Sequence, residues 1–205
     1  VIVTGQISLE FKVYVADSLN DRIQIFSREL EIAPASERSL AAASFTYAGS
    51  LGESGSAGGQ FSRPEGLDLD QYGNLMVADM RNGRIQKLTT DGKYLDSWTS
   101  ATRGRFEVLV DFAVGLDGRV YGLDASHQTS TSTGDIRFEV FSPNGQFQAQ
   151  IRGMLPGGVT IDSEGNLIVF SNETGRIEKY SPDGELLESW GPDDAQPRTI
   201  LSFVQ

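Results

Sequence analysis

The sequence predicts an all-β protein in which a small antiparallel four-stranded sheet recurs along the chain. Three observations carry this. Turn signals cut the stretch from Pro64 to Trp98 into four short apolar segments, Glu65–Asp70, Asn74–Asp79, Arg84–Thr89 and Tyr94–Trp98. Within the segments apolar and polar residues alternate with period two, which suits strands and not helices. The same arrangement then returns elsewhere in the chain, and a sheet this small cannot bury both faces without copies of itself.

The first and third breaks, DQYGN and TDG, carry Gly with Asn or Asp, residues that tolerate the positive φ of hairpin turns. The middle break, MRNG, ends in Asn-Gly and is also read as a hairpin. Ahead of this model unit, residues 1–12 are strand-like but lack the D-x-x-G-N turn. They are expected to supply an incomplete first strand or a strand closing the array. Residues 13–27 give two strands. Residues 28–44 depart from the pattern, with Ser36 a candidate N-cap for a short helix or else a surface loop. Phe45–Leu51 follows as a fourth strand. GESGSAGGQ, 52–60, reads as a flexible small-residue connection. TSATRGR, 99–105, is the next connection, and a polar insertion, Ser126–Gly134, interrupts the third copy. The fourth runs from about Gly157 to Trp190, and the tail ends in the strand-like ILSFV.

The copies keep register. Val13–Ser27 reads VYVADSLNDRIQIFS, Asn74–Thr89 reads NLMVADMRNGRIQKLT, and Asn166–Gly184 reads NLIVFSNETGRIEKYSPDG. Second strands end at Asp17, Asp79, Asp124 and Ser171. An arginine heads each third strand (Arg22, Arg84, Arg137 and Arg176). In the third copy it comes later because HQTSTST is inserted. Fourth strands recur as YLDSW, FQAQI and LLESW.

The run Pro64–Gln86, PEGLDLDQYGNLMVADMRNGRIQ, resembles the NHL-repeat β-propellers, with weaker matches at Val13–Ser27, Phe112–Gly145 and Gly157–Trp190. The resemblance implies a β-propeller of four NHL-like four-stranded blades in one domain over 1–205, with blades near 1–51, 61–98, 106–151 and 157–190. The tail, 191–205, is a candidate for closing the ring. Either the chain is a compact ring or it is part of a larger propeller. NHL propellers serve as protein-binding, RNA-binding and sensor domains, and related propellers include lyases and lactonases, so fold and function separate here.

Composition narrows the function classes. Hydrophobic residues make up 39% of 205, and 23 glycines match a turn-rich fold. With 17 basic and 28 acidic residues the net charge is −11, spread along the chain. Such a surface disfavours nucleic acid and anionic membranes, which need clustered Lys and Arg. No apolar run approaches the roughly 18 residues of a membrane span. Cysteine is absent, which excludes disulfides, c-type haem and thiolate metal sites. An extracellular or periplasmic setting is favoured.

Asp17, Asp79 and Asp124 could converge on a channel, but each precedes an arginine, which points instead to a structural Asp–Arg or Asp–backbone contact within each blade. The acidic turns after Asp70 and Asp162 lack the calcium-loop ligand series. His127 is the one histidine, too few for a zinc lyase or an oriented triad. Trp98 and Trp190 occupy equivalent positions expected in blade cores. No catalytic residue, metal or cofactor is assigned. The expected function is a non-catalytic module binding a protein, peptide or glycan, alone or within a larger complex. Its binding face is the loop side holding Arg63, Arg81, Arg103, Arg105 and His127. The alternative is a calcium-dependent lactonase- or lyase-like enzyme with a site in the central channel.

Overall fold

A computed structural model describes residues 8–31, 44–101, 103–125, 136–152, 156–171 and 174–191. His127, the 126–134 insertion, the helix candidate after Ser36 and the tail beyond 191 lie outside them. The described residues form fifteen strands and two 3₁₀ turns, and none of their helices is long and apolar enough to cross a membrane.

The strands build four antiparallel sheets in chain order. The first holds β1 (Ser8–Asp17), β2 (Arg22–Glu31) and β3 (Thr46–Leu51). The second holds β4 (Pro64–Leu69), β5 (Leu75–Asp79), β6 (Arg84–Leu88) and β7 (Tyr94–Thr99). β8 (Leu109–Val114), β9 (Val120–Ala125), β10 (Ile136–Phe141) and β11 (Phe147–Arg152) make the third. The fourth is β12 (Pro156–Ile161), β13 (Leu167–Ser171), β14 (Ile177–Tyr180) and β15 (Leu186–Trp190). Every sheet pairs chain neighbours only, which is the meander of a propeller blade.

Local chemistry explains the turns. In DQYGN the Asp70 carboxylate accepts from the Tyr72 and Asn74 backbone N–H groups at 2.9 and 2.8 Å, and Gly73 takes φ +76°. Asp162 does the same for Glu164 and Asn166. The MRNG break is not a two-residue hairpin but a 3₁₀ turn, Met80–Asn82, closed by Gly83 at φ +63°. Ser8–Lys12 make no separate strand. They prolong β1 because β2 also runs on, pairing Lys12 with Ser27 and Ser8 with Glu31.

Apolar residues of successive blades interdigitate into three seams. Ile23, Phe61, Leu75, Val77 and Leu88 fill the first, with Tyr14 and Ala16 against them. Met76, Ala78, Ile85, Phe106, Phe112 and Phe141 are in the second, and Tyr121, Leu123, Phe138, Val159, Leu167 and Val169 in the third. Trp98 is 5% exposed within the second seam, as its core position predicts. Trp190 is not core: it is 39% exposed, with its indole N–H donating to Glu188. No fifth sheet covers it among the described residues.

Candidate functional site

The recurrent Asp and Arg meet inside their blades. Asp17 and Arg22 lie 2.8 Å apart, Asp79 and Arg84 2.8 Å, Asp124 and Arg137 2.7 Å. Register explains it, since each Asp pairs directly across from its Arg, at the strand ends in the first two blades and one pair in from the ends in the third. The carboxylate also holds the loop that enters the blade. Asp79 accepts from the Ser62 N–H at 2.7 Å, and Asp124 from those of Glu107 and Val108 at 3.1 and 3.0 Å. In the fourth blade Ser171 replaces Asp, and Arg176 turns to the Ser189 hydroxyl and carbonyl instead.

Two residues down each third strand stands Gln24, Gln86, Glu139 or Glu178, a position that sequence reasoning passed over. Gln86 donates to Asp79 and to the Gln60 carbonyl and accepts from the Gly59 N–H. Together with Asn82 and Arg84, which donate to the carbonyls of Gly55 and Ala57, it pins GESGSAGGQ. That connection is therefore built and not a free linker. Glu139 does the equivalent work on Ser100 and Ala101 at 2.7 and 2.9 Å, while also meeting Arg137. Arg137, Asp124 and Glu139 are all at most 2% exposed.

The loop-side arginines separate into two kinds. Arg63 bonds Glu65 at 2.8 Å, and Arg103 pairs with Glu107. Arg63 also holds φ +55° and gives its backbone N–H to Asp21. That bond is the main reason the Asp21 carboxyl sits below its ordinary range, with Ser54 and the charge of Arg81 adding to it. Arg81 and Arg105 make no ion pair among the described residues.

A second constellation lies on the inner strands. In the second, third and fourth blades the inner strand is an edge strand of its sheet and bends at a bulge (Pro64/Leu67, Leu109/Asp111, Pro156/Gly158), a device that re-aims side chains. Asp68 accepts from its neighbour Leu69 N–H at 2.7 Å and from Val114 N–H of the next blade at 2.9 Å. Asp111 accepts from Phe112 at 2.9 Å and from Val159 of the blade after at 3.1 Å. A Cβ on Gly66, in register with Asp111, would stand 3.3 Å from its Oδ1 and 3.2 Å from the Phe112 ring, so glycine there eases the fit, whereas one on Gly158 would make only ordinary contact at 3.6 Å. Burial raises the pKa of both carboxyls against these hydrogen bonds, and the charges of Asp68 and Glu65 push Asp111 up further. Both side chains remain half-buried and within reach of solvent. A cavity of about 10 Å³ between the second and third blades, lined by Met76, Lys87, Trp98 and Val120, is not lined by these carboxylates and has room for one water.

Among the described residues no three His, Cys, Asp or Glu side chains group so as to hold a metal ion, and all four oxygens of Asp68 and Asp111 already take a backbone N–H.

Residues 10–107 match the model of the SMP-30/gluconolactonase/LRE-like region. Two curated proteins are similar in sequence. The chain is 24% identical over 144 residues to protein brain tumor of Drosophila melanogaster, covering 69% of this chain and 14% of that protein. It is 24% identical over 169 residues to B-box type zinc finger protein ncl-1 of Caenorhabditis elegans, covering 77% and 18%. The chain thus spans less than a fifth of the length of the curated relatives it matches. In structure it is similar to virginiamycin B lyase from Staphylococcus aureus, with a TM-score of 0.52 at 10% identity, covering 90% of this chain and 74% of that one. The fold is a β-propeller.

Proposed function

We propose that this propeller carries lactonase- or lyase-like chemistry on its inner strands, with Asp68 and Asp111 as the acid–base pair. The observation that carries the reading is their placement: two half-buried carboxyls on adjacent inner strands, both held above the ordinary carboxylate range by burial. Groups tuned this way serve as proton donors and acceptors nearer neutrality. The match of residues 10–107 to the SMP-30/gluconolactonase/LRE-like region supports the same reading. In opening a lactone, Asp68 as carboxylate takes a proton from water while the water oxygen bonds the acyl carbon. The acyl C–O bond breaks, and protonated Asp111 gives its proton to the departing alkoxide. No metal enters this scheme.

The test is a panel of aldonolactones and aryl esters assayed with chelator and with added calcium. Turnover is expected in both, falling about 100-fold in Asp111→Asn with the far-ultraviolet spectrum unchanged. Absence of turnover across the panel overturns the proposal, and turnover only with calcium overturns the metal-free scheme.

A second reading has its own support. Arg81 and Arg105 are unpaired among the described residues, and the curated relatives match a larger share of the chain than the family model does. Under this reading the chain is an NHL-like module that meets an acidic protein, peptide or glycan on its loop side through charge-assisted hydrogen bonds. Arg81→Ala with Arg105→Ala would then abolish retention of an acidic peptide without altering any turnover.

A further inference from the structure

Asn-Gly occurs twice in the chain, at 82–83 between β5 and β6 and at 144–145 between β10 and β11. The pair carries its own chemistry. The glycine nitrogen is unhindered by any Cβ, and the side-chain amide carbon of the preceding asparagine is an electrophile within ring-closing reach of it. The two backbones are alike. Gly83 N–H donates to the Met80 carbonyl at 3.1 Å and Gly145 N–H to that of Ser142 at 2.9 Å, with φ +63° and +78°. The side chains are not alike. Asn82 Nδ2 donates to both Asp79 oxygens, at 3.0 and 2.9 Å, and to the Gly55 carbonyl at 2.8 Å. To turn its amide carbon onto Gly83 it must give up bonds to a carboxylate, which are the strong kind. Asn144 is exposed, and its Nδ2 has no partner among the described residues. Its Oδ1 accepts from the Ser142 hydroxyl, whose oxygen takes the Gln146 N–H at 3.0 Å. A donor on that oxygen polarises the amide and stabilises the charge that attack would place there.

We propose that Asn144 is a site of spontaneous covalent modification in the folded protein, passing through a cyclic imide to aspartate and isoaspartate, and that its fold protects Asn82. The Gly145 nitrogen bonds Asn144 Cγ and gives its proton to solvent, while the Cγ–Nδ2 bond breaks and the nitrogen leaves as ammonia with a proton from solvent. Water then adds to either carbonyl of the imide and reopens it. One opening gives aspartate. The other gives isoaspartate, in which the main chain runs through Cβ and Cγ and is longer by one methylene. That extra length falls directly ahead of Gly145, which lies against the Trp98 indole so closely that a Cβ there would stand 1.6 Å from its nitrogen. Trp98 is buried in the second seam. The turn has no slack to absorb a longer chain, so isoaspartate at 144 disturbs the seam between the second and third blades, whereas aspartate does not.

The experiment is incubation of the full folded chain in mildly alkaline water enriched in heavy oxygen, followed by peptide mapping by mass spectrometry. Uptake of solvent oxygen is expected at Asn144 at least about tenfold faster than at Asn82, with the two rates drawing close in denaturant. Equal rates in the folded chain, or Asn82 leading, overturn the proposal, as does an Asn144 that stays intact while the denatured chain converts. Ser142→Ala should slow the conversion and Ser142→Thr restore it; a faster reaction in Ser142→Ala overturns the role given to the hydroxyl. The seam is read by Trp98 emission in a Trp190→Phe background. Emission should move to longer wavelength as isoaspartate accumulates, and hold steady in Asn144→Asp, which has the charge without the added methylene. Emission unchanged in the fully converted protein overturns the link to the seam.

Discussion

The middle blades and the end blades share one repeat and differ in what it buries. In the second and third blades the second strand is buried on both faces, Leu75–Asp79 without exception and Val120–Asp124 likewise. In the fourth, burial alternates along Leu167–Ser171, and in the first no residue of Glu10–Asp17 is buried. The Asp–Arg contact follows the same gradient. It is fully enclosed in the third blade, part-enclosed in the second, and open in the first, where Arg22 is 40% exposed. Sequence periodicity therefore sets what each blade is, and position in the array sets how much each contact stabilises.

The sharpest way to break this comparison is the buried triad. Arg137→Met strands Asp124 and Glu139 without their cation, and the loss expected in urea unfolding is about 3–5 kcal/mol. Arg22→Met, made at the equivalent solvated contact, should leave the unfolding midpoint nearly unchanged. Equal effects would mean the gradient in burial is not one in energy. Next in size are the seams. Leu75→Ala is expected to cost about 2–5 kcal/mol, and Val15→Ala much less in any single chain, both read by denaturant titration at low protein concentration.

Turn glycines sharpen it further. A Cβ on Gly145 would fall 1.6 Å from the Trp98 indole nitrogen, inside the second seam, whereas one on Gly73 meets nothing within 4 Å. Both hold left-handed φ, +78° and +76°. Gly73→Ala should therefore cost only the backbone strain, roughly 1–2 kcal/mol, and Gly145→Ala clearly more, measured as a drop in melting temperature.

The smallest effect is in pH. Burial works against the charged form of Asp162, but Lys179 at 2.8 Å and the Asn166 bonds outweigh it and hold its carboxyl well below the ordinary range. Its contribution is present above about pH 4 and is lost as the pH falls. Asp111 is raised, so its native form keeps a proton longer and its penalty appears as the pH rises past the ordinary carboxylate range. Asp162→Ala should lose stability at neutral pH and converge on the parent in acid. Asp111→Asn should do relatively best at neutral pH, and relative stabilities that move the other way would contradict the assigned shifts.

Much of the fold was legible because its instructions are local. The Asp70 and Asp162 turns close on atoms two and four residues away, so spacing alone announces them. The Asp–Arg contact was legible from recurrence. Asp68 and Asp111 were not, because they occupy different register positions of their strands and no repeat flags them. Gln86 and Glu139 escaped for another reason: their partners lie 26 and 38 residues away, visible only once blades stack. The same distance hid the pinning of GESGSAGGQ. Trp190 was misjudged because its equivalent, Trp98, owes its burial to a following blade.

The carboxylate bridges between inner strands also bear on aggregation. β8 and β12 are sheet edges, and an edge with free N–H groups is a template on which another chain can add a strand. Asp68 and Asp111 occupy two of those groups, Val114 N–H and Val159 N–H, with side-chain oxygens held in place from the neighbouring blade. On each of these two edges a single side chain takes a place that a foreign strand's carbonyl would need.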